Sequence, residues 1–211
     1  MLPVSDRSRT TKKFQIVLLS VLAACSYGVI HDQITARICI EYFTVAHPPL
    51  FHTTSPTLLA LCWGVAAIAG IGAALGVILA LVSQSRGAVP YSVSSLGRSI
   101  LVLLTVMVTS AFTAGAVGYQ LSRQGFISFP AGLAGSIPAN RHDRFMAVWF
   151  AHGASYLVGL AGGALLCFLV WRARSRPSVI SLFPQTRAGA IRAAFIAAVV
   201  VYIVWIRFHA A

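Results

Sequence analysis

Five long apolar runs decide what this chain can fold into. They span roughly residues 14–31, 57–82, 100–121, 145–171 and 188–206. A helix needs ~20 mostly apolar residues to cross the hydrocarbon core of a bilayer. Inside lipid, only a helix or a closed barrel satisfies every backbone polar group. Four of the runs reach that length easily, and the first is at the short end. The expected fold is all-α: a polytopic transmembrane helical bundle of about five spans, one integral membrane domain over residues 1–211.

Composition agrees. Hydrophobic residues make up 58% of the chain and charged residues 9%, against about 25% charged in soluble domains. The net charge of +12 comes from 16 Lys and Arg against 4 acidic residues. Such a balance could indicate nucleic-acid binding. Here, however, the basic residues sit at the ends of apolar runs and not on a soluble face interleaved with aromatics. The expected partner is the lipid bilayer, and nucleic acid is excluded.

The basic residues also set an expected orientation. Arg7, Arg9, Lys12, Lys13, Arg86, Arg98, Arg172, Arg174, Arg176 and Arg187 fall on one side of the spans, and Arg37, Arg123, Arg141 and Arg144 on the other. The positive-inside rule then puts the N-terminus in the cytoplasm and, with five spans, the C-terminus outside. The expected location is a cell membrane of the bacterial inner-membrane type.

Near the N-terminus, Leu22-Ala23-Ala24-Cys25 after a basic, apolar stretch resembles a bacterial lipoprotein signal. In that family the cysteine is lipidated and becomes the first residue. The apolar run continues past Cys25 to Ile30, so the segment reads instead as the first span, with Cys25 unmodified and the mature chain starting at or beside Met1. Cys62 and Cys167 lie inside apolar runs and read as packing residues. A disulfide between Cys25 and Cys39 is allowed but nothing requires it. Gly72 with Gly76, Gly159 with Gly163, and Ala114 with Gly118 have the spacing that lets helix backbones approach closely in lipid, so a compact bundle is expected.

The chemistry is one-sided. Three of the four acidic residues (Asp32, Glu41 and Asp143, but not Asp6) and all six histidines fall toward the outer side. Ionisable groups at or in a membrane are costly and tend to mark functional sites. From Gln33 to Val45 the pattern is that of an amphipathic outer-face helix, which extends the first span or lies along the surface and ends before Pro48. Arg37 and Glu41 are four apart on it and can pair. That pair either holds an interfacial helix in place or, with Asp32, lines a site; Asp32 joins the Glu41 stripe only if the helix bends. Asp143 is placed to cap the dipole of the fourth span. His152 lies about two turns, ~10 Å, inside that span. It shares a face with Ser155 and Tyr156, and is either hydrogen-bonded to a neighbour such as Tyr156 or a ligand or proton carrier.

The first span ends and the fourth begins on the same side, so the two clusters can meet. Three imidazoles and a carboxylate from His31, Glu41, His47 and His152 make a candidate metal set for a divalent transition ion. In that site Asp32, Arg37 and Glu41 are the candidate catalytic residues and Tyr156 the candidate cofactor contact. Glu41 or Asp32 would act as ligand or base, and Arg37 would steady an anionic group. A bis-histidine haem between His31 and His152 is a less favoured cofactor. No HExxH, ExxH or HxxxH spacing is present.

The run HDQ-x-T-A-R-x-C-x-EYFT-x-x-HPP (His31 to Pro49), followed by SPTLLALCWG and by W-x-x-H-x-x-SY in the fourth span, resembles a family of uncharacterised bacterial multi-pass membrane proteins. The resemblance covers most of the chain and implies no activity. It supports treating the outer-side residues as one unit. Two functions are consistent with these residues. One is a metal-dependent membrane enzyme or redox protein acting on a lipid-like or extracytoplasmic ligand. The other is a non-catalytic accessory subunit or small transporter in which these groups pair only with one another.

Overall fold

The computed structural model describes residues 6–85 and 90–175, and within them it is helical without strands. The elements are α1 (Asp6–Ile38), α2 (Glu41–Thr44), α3 (Pro56–Ala66), α4 (Ala69–Ser83), α5 (Val93–Arg123), α6 (Ala131–Ala134), a 3-10 turn (Ala139–Arg141) and α7 (His142–Ser175). Four helical stretches are long and apolar enough to cross a membrane: Arg7–Ile38, Pro56–Ser83, Val93–Arg123 and Ala139–Arg174. The expected fifth run, at 188–206, lies outside the described residues. At 1.5 Å per residue, the 33 residues of α1 reach about 50 Å, well beyond a ~30 Å hydrocarbon core.

Local sequence sets the boundaries. Ser55 caps α3 by accepting from the backbone N–H of Leu58, with Pro56 in the first turn, where its missing N–H costs nothing. Ser92 caps α5 in the same way through Ser95. Beyond α5, Gly125 takes φ +74°, the left-handed conformation with which helices commonly end. The second span is broken between α3 and α4 at Ala67 and Ile68.

The segment expected as one amphipathic outer-face helix is divided. Gln33 to Ile38 form the last turns of α1, the chain breaks at Cys39 and Ile40, and Glu41–Thr44 make a single turn. Cys25 and Cys39 are both free thiols, so the disulfide that the sequence allowed is not formed. Cys39 Sγ instead donates to Glu41 Oε2 at 3.2 Å, and burial pushes its thiol up to about 12.

The bundle is two packed pairs. Helix α1 lies along α3 and α4, α5 lies along α7, and the pairs meet mainly where α4 touches α7. Gly28 and Gly64 bring α1 and α3 together: a Cβ on Gly28 would fall 2.3 Å from the Gly64 carbonyl oxygen. Gly72 and Gly76 do the same against Ala24 and Ser20, as the small-residue spacing predicts. One core cluster, around Tyr42, Phe43, Trp63, Phe145 and Val148, fills the end that carries the histidines. A second, around Ile16, Leu79, Leu96, Ile100 and Val170, fills the other end. There Arg9 Nη1 donates to the carbonyls of Gln84 and Ser85 at 3.0 and 2.9 Å, and Arg174 Nη1 to that of Ser83 at 2.9 Å. These cations satisfy carbonyls that the end of α4 leaves open.

Candidate metal centre

Tyr27, His31 and Thr35 are four residues apart on α1 and so form one stripe, with Asp32 beside it. The stripe faces α7 at His152 and Ser155. The His31 and His152 rings stand edge-on with centroids 4.5 Å apart. Nε2 of His152 is 3.1 Å from Thr35 Oγ1 and 3.7 Å from Asp32 Oδ1. Tyr27 stacks on His31, and its hydroxyl is 2.7 Å from Ser155 Oγ. His31, Asp32, Thr35, His152 and Ser155 are all buried.

One ligand atom from each of His31, Asp32 and His152 lies within 4.8 Å of the others. Nε2 of His31 is fully buried and has no hydrogen-bond partner among the described residues. Leaving such a group unpaired costs ~1–3 kcal/mol, and an ion or water is the usual explanation for a polar atom buried in this way. Two neutral imidazoles and one carboxylate are the donor set of many catalytic zinc sites and of non-haem iron sites, which keep positions open for water or substrate. A small cavity of about 20 Å³ adjoins the three residues, with Tyr27, Trp63, Met107 and Tyr156 in its wall.

The sequence brought His31 and His152 together, and the geometry does too. It does not bring Glu41 to them. Glu41 accepts from Arg141 Nε at 3.1 Å and from Arg141 Nη2 at 3.2 Å. Burial opposes the charge on Glu41. The hydrogen bonds from Arg141, its own backbone and Cys39, together with the Arg141 charge, outweigh that and hold the carboxyl below its ordinary range. The expected Arg37–Glu41 pair is therefore corrected. Helix α1 ends at Ile38, so the four-residue register that would have aligned the two side chains is lost. Arg37 instead binds the carbonyl and side chain of Gln33, and Thr57 Oγ1. Glu41 and Arg37 are thus both engaged outside the group of His31, Asp32 and His152.

His47 is not in the group formed by His31, Asp32 and His152. Its Nδ1 is 2.7 Å from the Tyr42 carbonyl, and the Tyr42 ring packs against both it and His152, with centroids 4.9 and 4.5 Å away. Tyr42 and Phe43 of α2 thus roof the centre. Tyr156 is half exposed, with its ring 6.0 Å from His152. The hydrogen-bond partner of His152 is Thr35 and not Tyr156. Asp143 lies in the first turn of α7, where its Oδ1 accepts from Ser122 at 2.7 Å. His142 stacks on Phe129, His52 is exposed, and His209 lies outside the described residues. A haem between His31 and His152 does not fit. Axial imidazoles stand on opposite faces of the macrocycle, and rings 4.5 Å apart leave no room for it.

Sequence reasoning passed over Tyr27, Thr35 and Tyr42. For the first two the signal was present, as the four-residue spacing through His31. For Tyr42 it was not, because its position depends on the chain break at Cys39. No protein-family model, curated protein or solved structure matches the chain.

Proposed function

We propose that this chain is a multi-pass membrane protein that binds a divalent transition metal through His31, Asp32 and His152 and uses it on a substrate held in the same half of the bilayer. The observation that carries this reading is the unpartnered Nε2 of His31, buried within reach of a carboxylate and a second imidazole. When bound, such an ion lowers the pKa of a coordinated water or polarises a substrate oxygen, and iron or copper also exchanges electrons. Asp32 supplies the negative charge. Thr35 Oγ1 gives its proton to the His31 carbonyl and accepts from Nε2 of His152; with Nδ1 as the nitrogen for the ion, Thr35 orients the ring, as hydrogen-bonding partners on the other nitrogen of metal-bound histidines do. Tyr27 and Ser155 place hydroxyls beside the open positions.

The orientation goes with this reading: N-terminus cytoplasmic, five spans, and the centre near the extracytoplasmic face. So does the assignment of the His31–Pro49 motif to an uncharacterised bacterial membrane-protein family. The test is elemental analysis with an optical spectrum of the purified protein. Stoichiometric metal is expected in the natural chain, with loss to background in His31→Ala and His152→Ala and no loss in His52→Ala. A natural chain that takes up no divalent transition ion, or folded variants that retain it, would overturn the proposal.

A further inference from the structure

A centre made of three buried side chains needs an entry path for its ion, and the cavity at His31, Asp32 and His152 has very different surroundings at its two ends. Toward the far end of the bundle come aliphatic side chains such as Leu75, Leu79 and Leu104, and then the core around Ile16, Leu96 and Val170. A cation finds no ligand there, and burying an unpaired charge is costly. Arg9 and Arg174 add positive charge beyond that core. At the histidine end, the loop between α2 and α3 forms a pocket of about 590 Å³. Thr44, His52, Thr53 and Thr54 line it, and its described lining includes no Lys or Arg. Trp63, itself 8% exposed, belongs to the wall of this pocket and to the wall of the cavity at the centre. The His47 ring packs on Trp63, with centroids 4.6 Å apart. Nδ1 of His47 lies 2.7 Å from the Tyr42 carbonyl. A carbonyl only accepts, so Nδ1 carries the proton and, in the neutral ring, Nε2 keeps the lone pair. Metal-binding histidines are commonly held in this way, with the other nitrogen donating to a backbone carbonyl.

We propose that the ion reaches the centre from the pocket at the histidine end, held in transit by Nε2 of His47 and passing Trp63, whose side chain is the movable part of the partition. This inference rests on the metal reading and adds the route that a buried centre requires. The cavity of about 20 Å³ has room for about one water-sized species, so the ion sheds its hydration shell before it enters. The threonine hydroxyls and imidazoles of the pocket replace those waters on the way in. Tyr42 packs against both His47 and His152, which sets the transit imidazole and the ligand imidazole against one ring. A partition changes entry and exit alike. Altering it moves both rates by one factor and leaves the affinity of the centre where it was, whereas altering a ligand moves the affinity.

The experiment mixes the full chain, purified in detergent, with cobalt(II) alone. Ligand-field absorption follows uptake, and a chelator then drives release. Thr54 is exposed in the pocket and Ser95 is exposed near the start of α5. Thr54→Cys capped with a trimethylammonium thiosulfonate should take up cobalt at least about tenfold more slowly, an added barrier of ~1.4 kcal/mol, and reach the same final content. Ser95→Cys with the same cap should match the natural chain treated with the same reagent. Trp63→Phe, with a smaller ring in the partition, should speed uptake and release by one shared factor. His47→Ala should slow both. If Trp63→Phe does not fold, the capped variants and His47→Ala still decide. Slowing by the cap at position 95 but not at 54 would overturn the route. So would a Trp63→Phe protein whose release changes while its uptake does not. The amplitude of the cobalt signal separates the two readings. Full amplitude with unmoved rates in every variant would remove the route and keep the metal centre. A natural chain with no cobalt signal would remove the metal reading itself.

Discussion

Asp32 Oδ1 stands 3.7 Å from Nε2 of His152, both side chains buried, one on α1 and the other on α7. The carboxylate therefore acts across the seam between the two helix pairs. Asp32→Asn keeps the shape and removes the charge. It is expected to weaken metal retention by at least the ~10–100-fold that loss of an orienting partner typically costs, measured by competition with a chromophoric chelator. An unchanged affinity would show that Asp32 is not a ligand.

Thr35→Val tests a different function, orientation. The hydroxyl holds His152 Nε2 at 3.1 Å, and valine matches threonine in shape while leaving that nitrogen with Asp32 alone. A smaller loss of metal affinity than for Asp32→Asn is expected, with a changed ligand-field spectrum, as a rotated imidazole would give. The same spectrum in both proteins would mean that Thr35 only fills space.

The Glu41–Arg141 pair predicts a pH dependence separate from the metal. The folded-state pKa of Glu41 lies below its ordinary value of 4.5. Its contribution is thus present above that value and is lost as the pH falls through the lowered one. The pair is partly exposed, 24% and 20%, so solvent screening limits it to about 1 kcal/mol. Arg141→Ala is expected to lower Tm slightly at neutral pH, to show little further effect in acid, and to leave metal content unchanged. Loss of metal in that variant would return Glu41 to the site.

Close packing of α1 on α3 gives a stability test. Alanine at Gly28 would bring its Cβ within 2.3 Å of a backbone oxygen, which no rotamer can relieve. Gly28→Ala is expected to cost ~1–3 kcal/mol, the usual cost of overpacking, seen as a lower Tm in detergent. Gly70→Ala, whose Cβ meets nothing within 4 Å, should be neutral or slightly stabilising because the helix gains alanine's propensity. Equal effects from the two would refute the backbone contact.

Orientation is tested by reporter fusions after residues 50, 90 and 130. The excess of Lys and Arg in alternate loops predicts outside, inside and outside. A cytoplasmic signal at residue 50 or 130 would reverse the topology.

The long helices were legible because apolar runs of membrane length have few alternatives. The meeting of His31 with His152 was legible too, since one span ends and another begins at the same end of the bundle. What failed was the assumption that helix continues from Gln33 to Val45. Once α1 stops at Ile38, Glu41 swings to Arg141, a residue 100 positions away, and Tyr42 drops over His152. A chain break of two residues has no strong signature here, with neither Gly nor Pro at Cys39 or Ile40. The place of Asp32 was legible only as an alternative, because its neighbours on α1 say nothing of which helix it faces.

Two of the proposed ligands come from the first spanning helix and the third from the last one described. A nascent chain would therefore carry two of the three ligands through most of its synthesis, with Asp32 and His31 waiting in the bilayer for a partner. Until α7 arrives, a bound ion would have at most two protein ligands and would exchange readily. Once it arrives, the same ion would clamp one helix pair to the other. Metal supply would then govern how long the finished protein survives membrane proteolysis as well as what it can do.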